Sequence, residues 1–183
     1  GMVHAAEAYD VANNRMLAFG GILEGVLDGR LWQLDLASPV AAWSEVQPAT
    51  ASRPGPRRGA RFVYDPNGGN PRLLMFGGWK GSLATSICDE LWELSLTPGL
   101  ESWNQLFLGG GPPALADASV VYHPASNAAF FHGGQLASGG YVNSTWRLTL
   151  GASPAWALLS PAGAPPARFA HSAVFDPIGD RMI

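Results

Sequence analysis

Arg72-Leu73-Leu74-Met75-Phe76-Gly77-Gly78, followed by Leu91-Trp92 and then by Trp103, is the stretch on which the reading of this chain turns. The same order occurs three times. Phe-Gly-Gly ends at Gly21 and again at Gly78, and His-Gly-Gly ends at Gly134, at spacings of 57 and 56 residues. After each diglycine comes a Trp in an alternating segment, Leu31-Trp32, Leu91-Trp92 and Thr145-Trp146. A second Trp follows about eleven residues later, at Trp43, Trp103 and Trp156. Each unit closes on a Gly/Pro-rich turn: Pro54-Gly55-Pro56, Gly111-Pro112-Pro113 and Ala164-Pro165-Pro166. Self-similarity at a fixed period of this size marks a repeat architecture.

The restarts after these turns align without gaps. Arg57 runs on to Val63-Tyr64-Asp65-Pro66, Pro113 to Val121-Tyr122-His123-Pro124, and Arg168 to Val174-Phe175-Asp176-Pro177. The first unit joins at Ala8-Tyr9-Asp10, with His4 one residue out of step with His171, which predicts a bulge or a ragged start. Each unit reads as four short strands. In the second unit they are Ala60 to Tyr64, Arg72 to Phe76, Glu90 to Leu96 and Trp103 to Leu108, with a turn at Asp65-Pro66-Asn67-Gly68. Along the third strand Leu91, Glu93 and Ser95 face opposite to Trp92, Leu94 and Leu96. Four strands per 50 to 57 residues match one blade of a β-propeller. The expectation is an all-β chain with antiparallel blades over about 2–56, 57–113 and 114–166 and the first strands of a fourth over 167–183. One such sheet cannot bury both faces alone. The diglycines let backbones approach, and the paired Trp residues supply apolar area between blades.

The ordered set Pro-x-x-Arg, Tyr-Asp, Phe-Gly-Gly, Leu-Trp and Trp resembles the kelch family over essentially the whole chain. The third unit departs from the pattern. It has Leu115 where Arg57 and Arg168 stand, His123 in place of the Asp, and His132 in place of the aromatic before the diglycine. The resemblance implies a binding face built from the loops between strands four and one and between strands two and three. Its usual occupants are proteins, peptides or sugars. Some relatives are enzymes, a copper oxidase of sugars and epimerases of sialic acid among them, and the fold alone does not choose.

Composition removes other classes. Apolar residues are 47% and charged residues 14%, which excludes a solvated disordered segment. A net charge of −3 without a basic run gives nucleic acid no electrostatic footprint, and no stretch is long enough to span a bilayer as a helix. The single cysteine, Cys88, excludes an intrachain disulfide. Gly1-Met2 reads as a tag remnant before a start methionine.

Chemistry-bearing patterns are sparse. His4, His123, His132 and His171 lie in different units without His-x-His or Cys-x-x-Cys spacing, so no metal or other cofactor is expected, and the histidines read as strand-end or turn hydrogen-bonders. Ser172 follows His171, but neighbours on a strand point to opposite faces. Gly109-Gly110-Gly111 lacks the Lys-Ser/Thr and the helix of a phosphate loop and reads as an inter-blade turn. The strand two–three connections, Ile22 to Arg30, Trp79 to Glu90 and Gln135 to Ser144, differ most between units and are where binding is expected. Trp79 beside Lys80 offers a stacking surface next to a cation or, alternatively, covers the blade edge. Arg57, Arg58 and Arg168 precede strand one. In kelch relatives such arginines brace the next blade or reach acidic ligands. The expected ligand set is therefore Arg57, Arg58, Arg168, Trp79, Lys80 and Asn143 on a non-catalytic interaction module. The alternative is a piece of a carbohydrate-active propeller enzyme, galactose-oxidase-like or sialic-acid-epimerase-like, with its catalytic residues outside this chain.

In register with the first unit, Asp180-Arg181-Met182-Ile183 matches Asn14-Arg15-Met16-Leu17, so the sequence stops inside a strand. This implies a truncated reading frame or a half-propeller closed by another copy. The expectation is a homodimer joined through the N- and C-terminal units, because uncovered blade faces expose apolar area.

Overall fold

The computed structural model describes residues 2–66 and 70–183. Asn67 and Gly68 of the expected turn, and Gly1, lie outside the described residues. The chain is all-β. Among the described residues the helical pieces are two 3-10 turns, Ala84–Ser86 and Pro124–Ser126. Three four-stranded antiparallel sheets follow one another. The first contains β2 (Ala6–Asp10), β3 (Arg15–Phe19), β6 (Leu31–Asp35) and β7 (Ala42–Val46). The second contains β8 (Arg61–Asp65), β9 (Arg72–Phe76), β10 (Leu91–Ser95) and β11 (Trp103–Leu106). The third contains β13 (Ser119–His123), β14 (Ala128–His132), β16 (Thr145–Thr149) and β17 (Ala155–Leu159). A hairpin of β18 (Phe175–Asp176) and β19 (Arg181–Met182) begins a fourth. Between the main strands, β1 (Met2–Val3), β4 (Ile22–Leu23) and β5 (Val26–Leu27) form a small sheet, and β12 (Leu115–Ala116) pairs with β15 (Gln135–Leu136). These satellites pair strand two–three connections with the segments that lead into strand one.

The first strands of successive sheets neighbour one another, β2 on β8, β8 on β13 and β13 on β18. Strand one is therefore innermost and strand four outermost. The two-residue period explains how the sheets stack. Leu73 and Met75 of β9, with Trp92, Leu94 and Leu96, enter the core shared with blade one. Leu74, Phe76 and Leu91 enter the core shared with blade three. Both faces of a central blade are buried, so β9 reads as an unbroken apolar run rather than an alternating one. The strand-four Trp of blades two and three bridges to the preceding blade. Trp103 packs edge-on to Phe19 at 5.1 Å, and Trp156 packs on Phe76 at 5.2 Å.

Polar clasps join the blades as well. A left-handed backbone recurs two residues ahead of strand one in blades one to three, at His4 (φ 59°), Gly59 (φ 66°) and Asp117 (φ 56°), and at the matching Ala170 (φ 52°) of the fourth unit. Gly59 N–H donates to the carbonyl of His4, Asp117 N–H to Gly59 and Ala170 N–H to Asp117, at 2.8–2.9 Å. His4 therefore occupies a repeated position, which accounts for its offset from His171. At the opposite end, Arg15 is held by Asp10 at 2.9 Å and reaches Glu101 of blade two at 2.6 Å. Arg72 is held by Asp65 and reaches the Gly151 carbonyl of blade three. In blade three, which has His123 and Ala128 at these places, His123 Nε2 bonds Asp180 instead, at 2.7 Å.

The diglycines are the tightest approach. The second glycine donates to the carbonyl of the next blade's entering loop: Gly21 to Arg57, Gly78 to Leu115 and Gly134 to Arg168. A Cβ on the first glycine would lie 2.3, 2.2 and 2.6 Å from those same oxygens at Gly20, Gly77 and Gly133. The repeat needs glycine there because one backbone lies on another.

Candidate functional site

Strand two ends, and strands one and three begin, at the same rim of the sheets. The connections between strands two and three and those between strands four and one therefore share one face. All six sequence-derived ligand residues lie on that rim, in two groups separated by a blade.

The first group sits at the seam of blades one, two and three. Arg57 is 1% exposed. Its guanidinium bonds the Gly55 carbonyl, the Gly77 carbonyl, the Cys88 sulfur at 3.2 Å and Glu90 at 2.6 Å. Each of its nitrogens is engaged within the protein. Arg57 thus braces the rim of its own blade, rather than the next blade. Glu90 also accepts from Lys80 and from Trp92 Nε1. Burial opposes ionisation of Glu90, but the bonds from Lys80, Arg57 and Trp92 outweigh it and hold its carboxyl at about 2. The buried Cys88 thiol is pushed up by burial, against the pull of Arg57. Trp79 is 6% exposed, packed with Ile87 and Ala116, and its ring lies under the Arg58 guanidinium at 4.6 Å. Its backbone exchanges hydrogen bonds with that of Arg58. Trp79 therefore covers the seam between blades two and three and leaves no open stacking face. Lys80 is exposed but committed to Glu90.

The second group lies between blade three and the entering segment of the fourth unit. Arg168 is exposed; its Nε donates to the Pro166 carbonyl at 3.0 Å, and its terminal nitrogens carry no hydrogen bond among the described residues. Its backbone N–H donates to the carbonyl of Val142, next to the exposed Asn143. A cavity of about 340 Å³ opens here, lined by Ser119, His132, Thr145, Arg168 and His171 among others. His171 Nε2 and the Ser119 hydroxyl are 2.8 Å apart, and His132 Nδ1 and the Thr145 hydroxyl 3.0 Å. The two imidazoles meet edge to face at 5.7 Å. His132 Nε2 and His171 Nδ1 are buried without a partner. Burial, reinforced by Arg168, lowers the His132 pKa. Burial, then His132, Arg168 and Arg61, lowers that of His171. Arg61 faces the buried Asp117 at 3.8 Å. Tyr141 and Phe169 stack beside the cavity at 4.5 Å, both partly open to solvent.

Ser119, His132, Thr145 and His171 were absent from the sequence-derived set. The one signal was that unit three breaks the repeat, with His132 where Phe19 and Phe76 stand. The serine that meets His171 is Ser119, fifty-two residues away, not the adjacent Ser172. His123 behaves as a turn hydrogen-bonder, accepting from the Ser126 N–H. Among the described residues no three His, Cys, Asp or Glu side chains converge on a metal position.

Against known proteins, no family model and no curated protein matches the chain. Among solved structures it is similar to that of YjhT, with a TM-score of 0.73 over 96% of this chain at 14% identity. The chain is a β-propeller. It spans 57% of the length of that structure. At this identity the likeness carries the fold alone, so the chemistry of the rim has to be argued from its own residues.

Proposed function

We propose that this propeller is of the kelch type and serves as a non-catalytic binding module, taking its ligand on the rim that carries the strand two–three and strand four–one connections. The observation that carries the reading is that the connections differing most between units gather on one rim of the sheets, where Asn143 is exposed. Among the described residues no acid meets His171 Nδ1, so the Ser119–His171 pair has no third member of a hydrolytic triad among them. Titrating labelled protein with acidic peptides and oligosaccharides tests this. Resonance shifts confined to the strand two–three and strand four–one connections, Asn143 among them, without product, are expected. Turnover of any sugar by this chain would favour the rival reading of a carbohydrate-active enzyme.

A second proposal concerns the outward face of blade one. Trp43 is 51% exposed, whereas the equivalent Trp103 is 3% exposed because blade one covers it. Trp43, Trp32, Leu23 and Met2 line an open apolar cavity on that face. A second copy of the chain covers it and extends the ring, and sedimentation at micromolar concentration is expected to give a dimer. A monomer across that range overturns this proposal without touching the first.

A further inference from the structure

On the binding-module reading, the rim holds one seam that its own residues leave open. The seam of blades one and two and the seam of blades two and three both lie between four-stranded sheets, and they are built from the same positions. Ile22 pairs with Leu27 as Trp79 pairs with Ile87, and Arg58 stands opposite Trp79 as Ala116 stands opposite Gln135. Between blades two and three, Trp79 and Ile87 pack on Ala116 and Ala137, and both are buried. Between blades one and two the matching places hold Ile22 and Leu27 on one side and Arg58 and Gly81 on the other. Ile22 is smaller than Trp79, and Gly81 is smaller than Ala137, so the contact does not close. A cavity of about 470 Å³ remains, lined by Ile22, Gly25, Leu27, Arg58, Gly81 and Ser82, with Ile22 and Leu27 only half-buried.

Arg58 gives this cavity its charge. Its guanidinium lies 4.6 Å from the centre of the Trp79 ring and makes no hydrogen bond or ion pair among the described residues. Packing on an indole occupies the face of a guanidinium and leaves the N–H groups along its edge for a ligand. The buried and half-buried acids of this part of the rim are already matched. Glu90 accepts from Lys80, Arg57 and Trp92, and Asp28 pairs with Arg30. Glu24, on the hairpin tip beside Gly25, is exposed and makes no ion pair among the described residues. An anion entering the cavity therefore meets a guanidinium that no carboxylate of the chain neutralises.

We propose that this seam binds a carboxylate joined to a short aliphatic group, the carboxylate on the edge of Arg58 and the aliphatic part against Ile22 and Leu27. A carboxylate is planar, and its two oxygens match two N–H groups of one guanidinium. The cavity lies within the range of small-molecule sites. Binding makes and breaks no covalent bond.

Titrating isotope-labelled protein with isocaproate and with its neutral amide, isocaproamide, tests this. The acid is expected to bind about tenfold or more tightly than the amide, as for hydrogen bonds to a charged group, with shifts at Ile22, Leu27, Arg58 and Gly81. Arg58→Lys keeps the charge but loses the paired donors, and is expected to weaken the acid about tenfold. Ile22→Trp fills this seam as Trp79 fills the next, and is expected to abolish binding. Circular dichroism checks that both variants fold, and Arg58→Lys carries the test if Ile22→Trp does not. A blocked Leu-Glu dipeptide that binds more tightly than isocaproate assigns the carboxylate to a peptide; one that binds more weakly assigns it to a small organic acid. Equal binding of acid and amide, acid binding that either folded variant leaves intact, or no shift at millimolar isocaproate overturns the proposal. If isocaproate fails while an oligosaccharide shifts the rim resonances, the binding-module reading stands and only the carboxylate falls.

Discussion

Replacing Gly77 by alanine isolates the closest approach between blades. Gly77 has φ +73°, and a Cβ there would lie 2.2 Å from the Leu115 carbonyl oxygen, where ordinary contact begins near 3.4 Å. Two costs follow. A left-handed backbone with a side chain costs about 1–2 kcal/mol. Relieving an overlap of more than 1 Å against a neighbouring backbone adds about 1–3 kcal/mol. The shift also stretches the 2.9 Å bond from Gly78 N–H to the same oxygen, worth about 1 kcal/mol. The sum is about 3–6 kcal/mol, a large part of the stability of an ordinary domain. Gly139 provides the control. It has φ +91° with nothing within 4 Å of the position a methyl would take, so Gly139→Ala carries the backbone cost of about 1–2 kcal/mol alone. Urea unfolding followed by tryptophan fluorescence reads the difference. With a slope of about 2 kcal/mol/M, the Gly77→Ala midpoint is expected to fall about 1–2 M below that of Gly139→Ala. Equal midpoints would refute the reasoning, because the two variants share everything except the neighbouring blade.

Other outcomes follow from the same contacts. Glu101→Gln removes the charge that meets Arg15 across blades one and two, and is expected to destabilise by about 3 kcal/mol in urea, at the low end for a broken buried pair because Asp10 still holds Arg15. Trp79→Ala is expected to cost about 3–5 kcal/mol, as for a buried aromatic, whereas Lys80→Ala should shift the midpoint little. His132 and His171 have folded pKa values below the ordinary 6.5, so the unfolded chain binds protons first; stability is expected to hold above about pH 6.5 and to fall as pH drops, and His171→Gln should flatten that slope in urea titrations at pH 5.5 and 7.5. Glu90, held at about 2 from 4.5, contributes about 3 kcal/mol above pH 4.5 that is lost as pH falls toward 2, so Glu90→Gln should remove this part of the acid transition.

The sequence by itself determined the sheets, because their signals are local and repeated. Arg72 to Phe76 was readable residue for residue as the strand it is, since an apolar run ending on two glycines has one use when it recurs at constant spacing. The same spacing marked the diglycines as backbone approaches before their partners were known. Only the tertiary structure named those partners, the carbonyls of Arg57, Leu115 and Arg168, because each belongs to the next blade. The burial of Arg57 was equally out of reach, because the residues that hold it, Cys88 and Glu90, lie thirty-one and thirty-three residues away in its own blade's loop. The cavity, too, exists through distance along the chain. Ser119 and His171 are fifty-two residues apart and meet because stacking sets the start of one blade against the start of the next. A repeat transmits its shared scaffold through sequence period. The chemistry at its seams arises from pairs of different residues brought together by packing, and no periodicity encodes those.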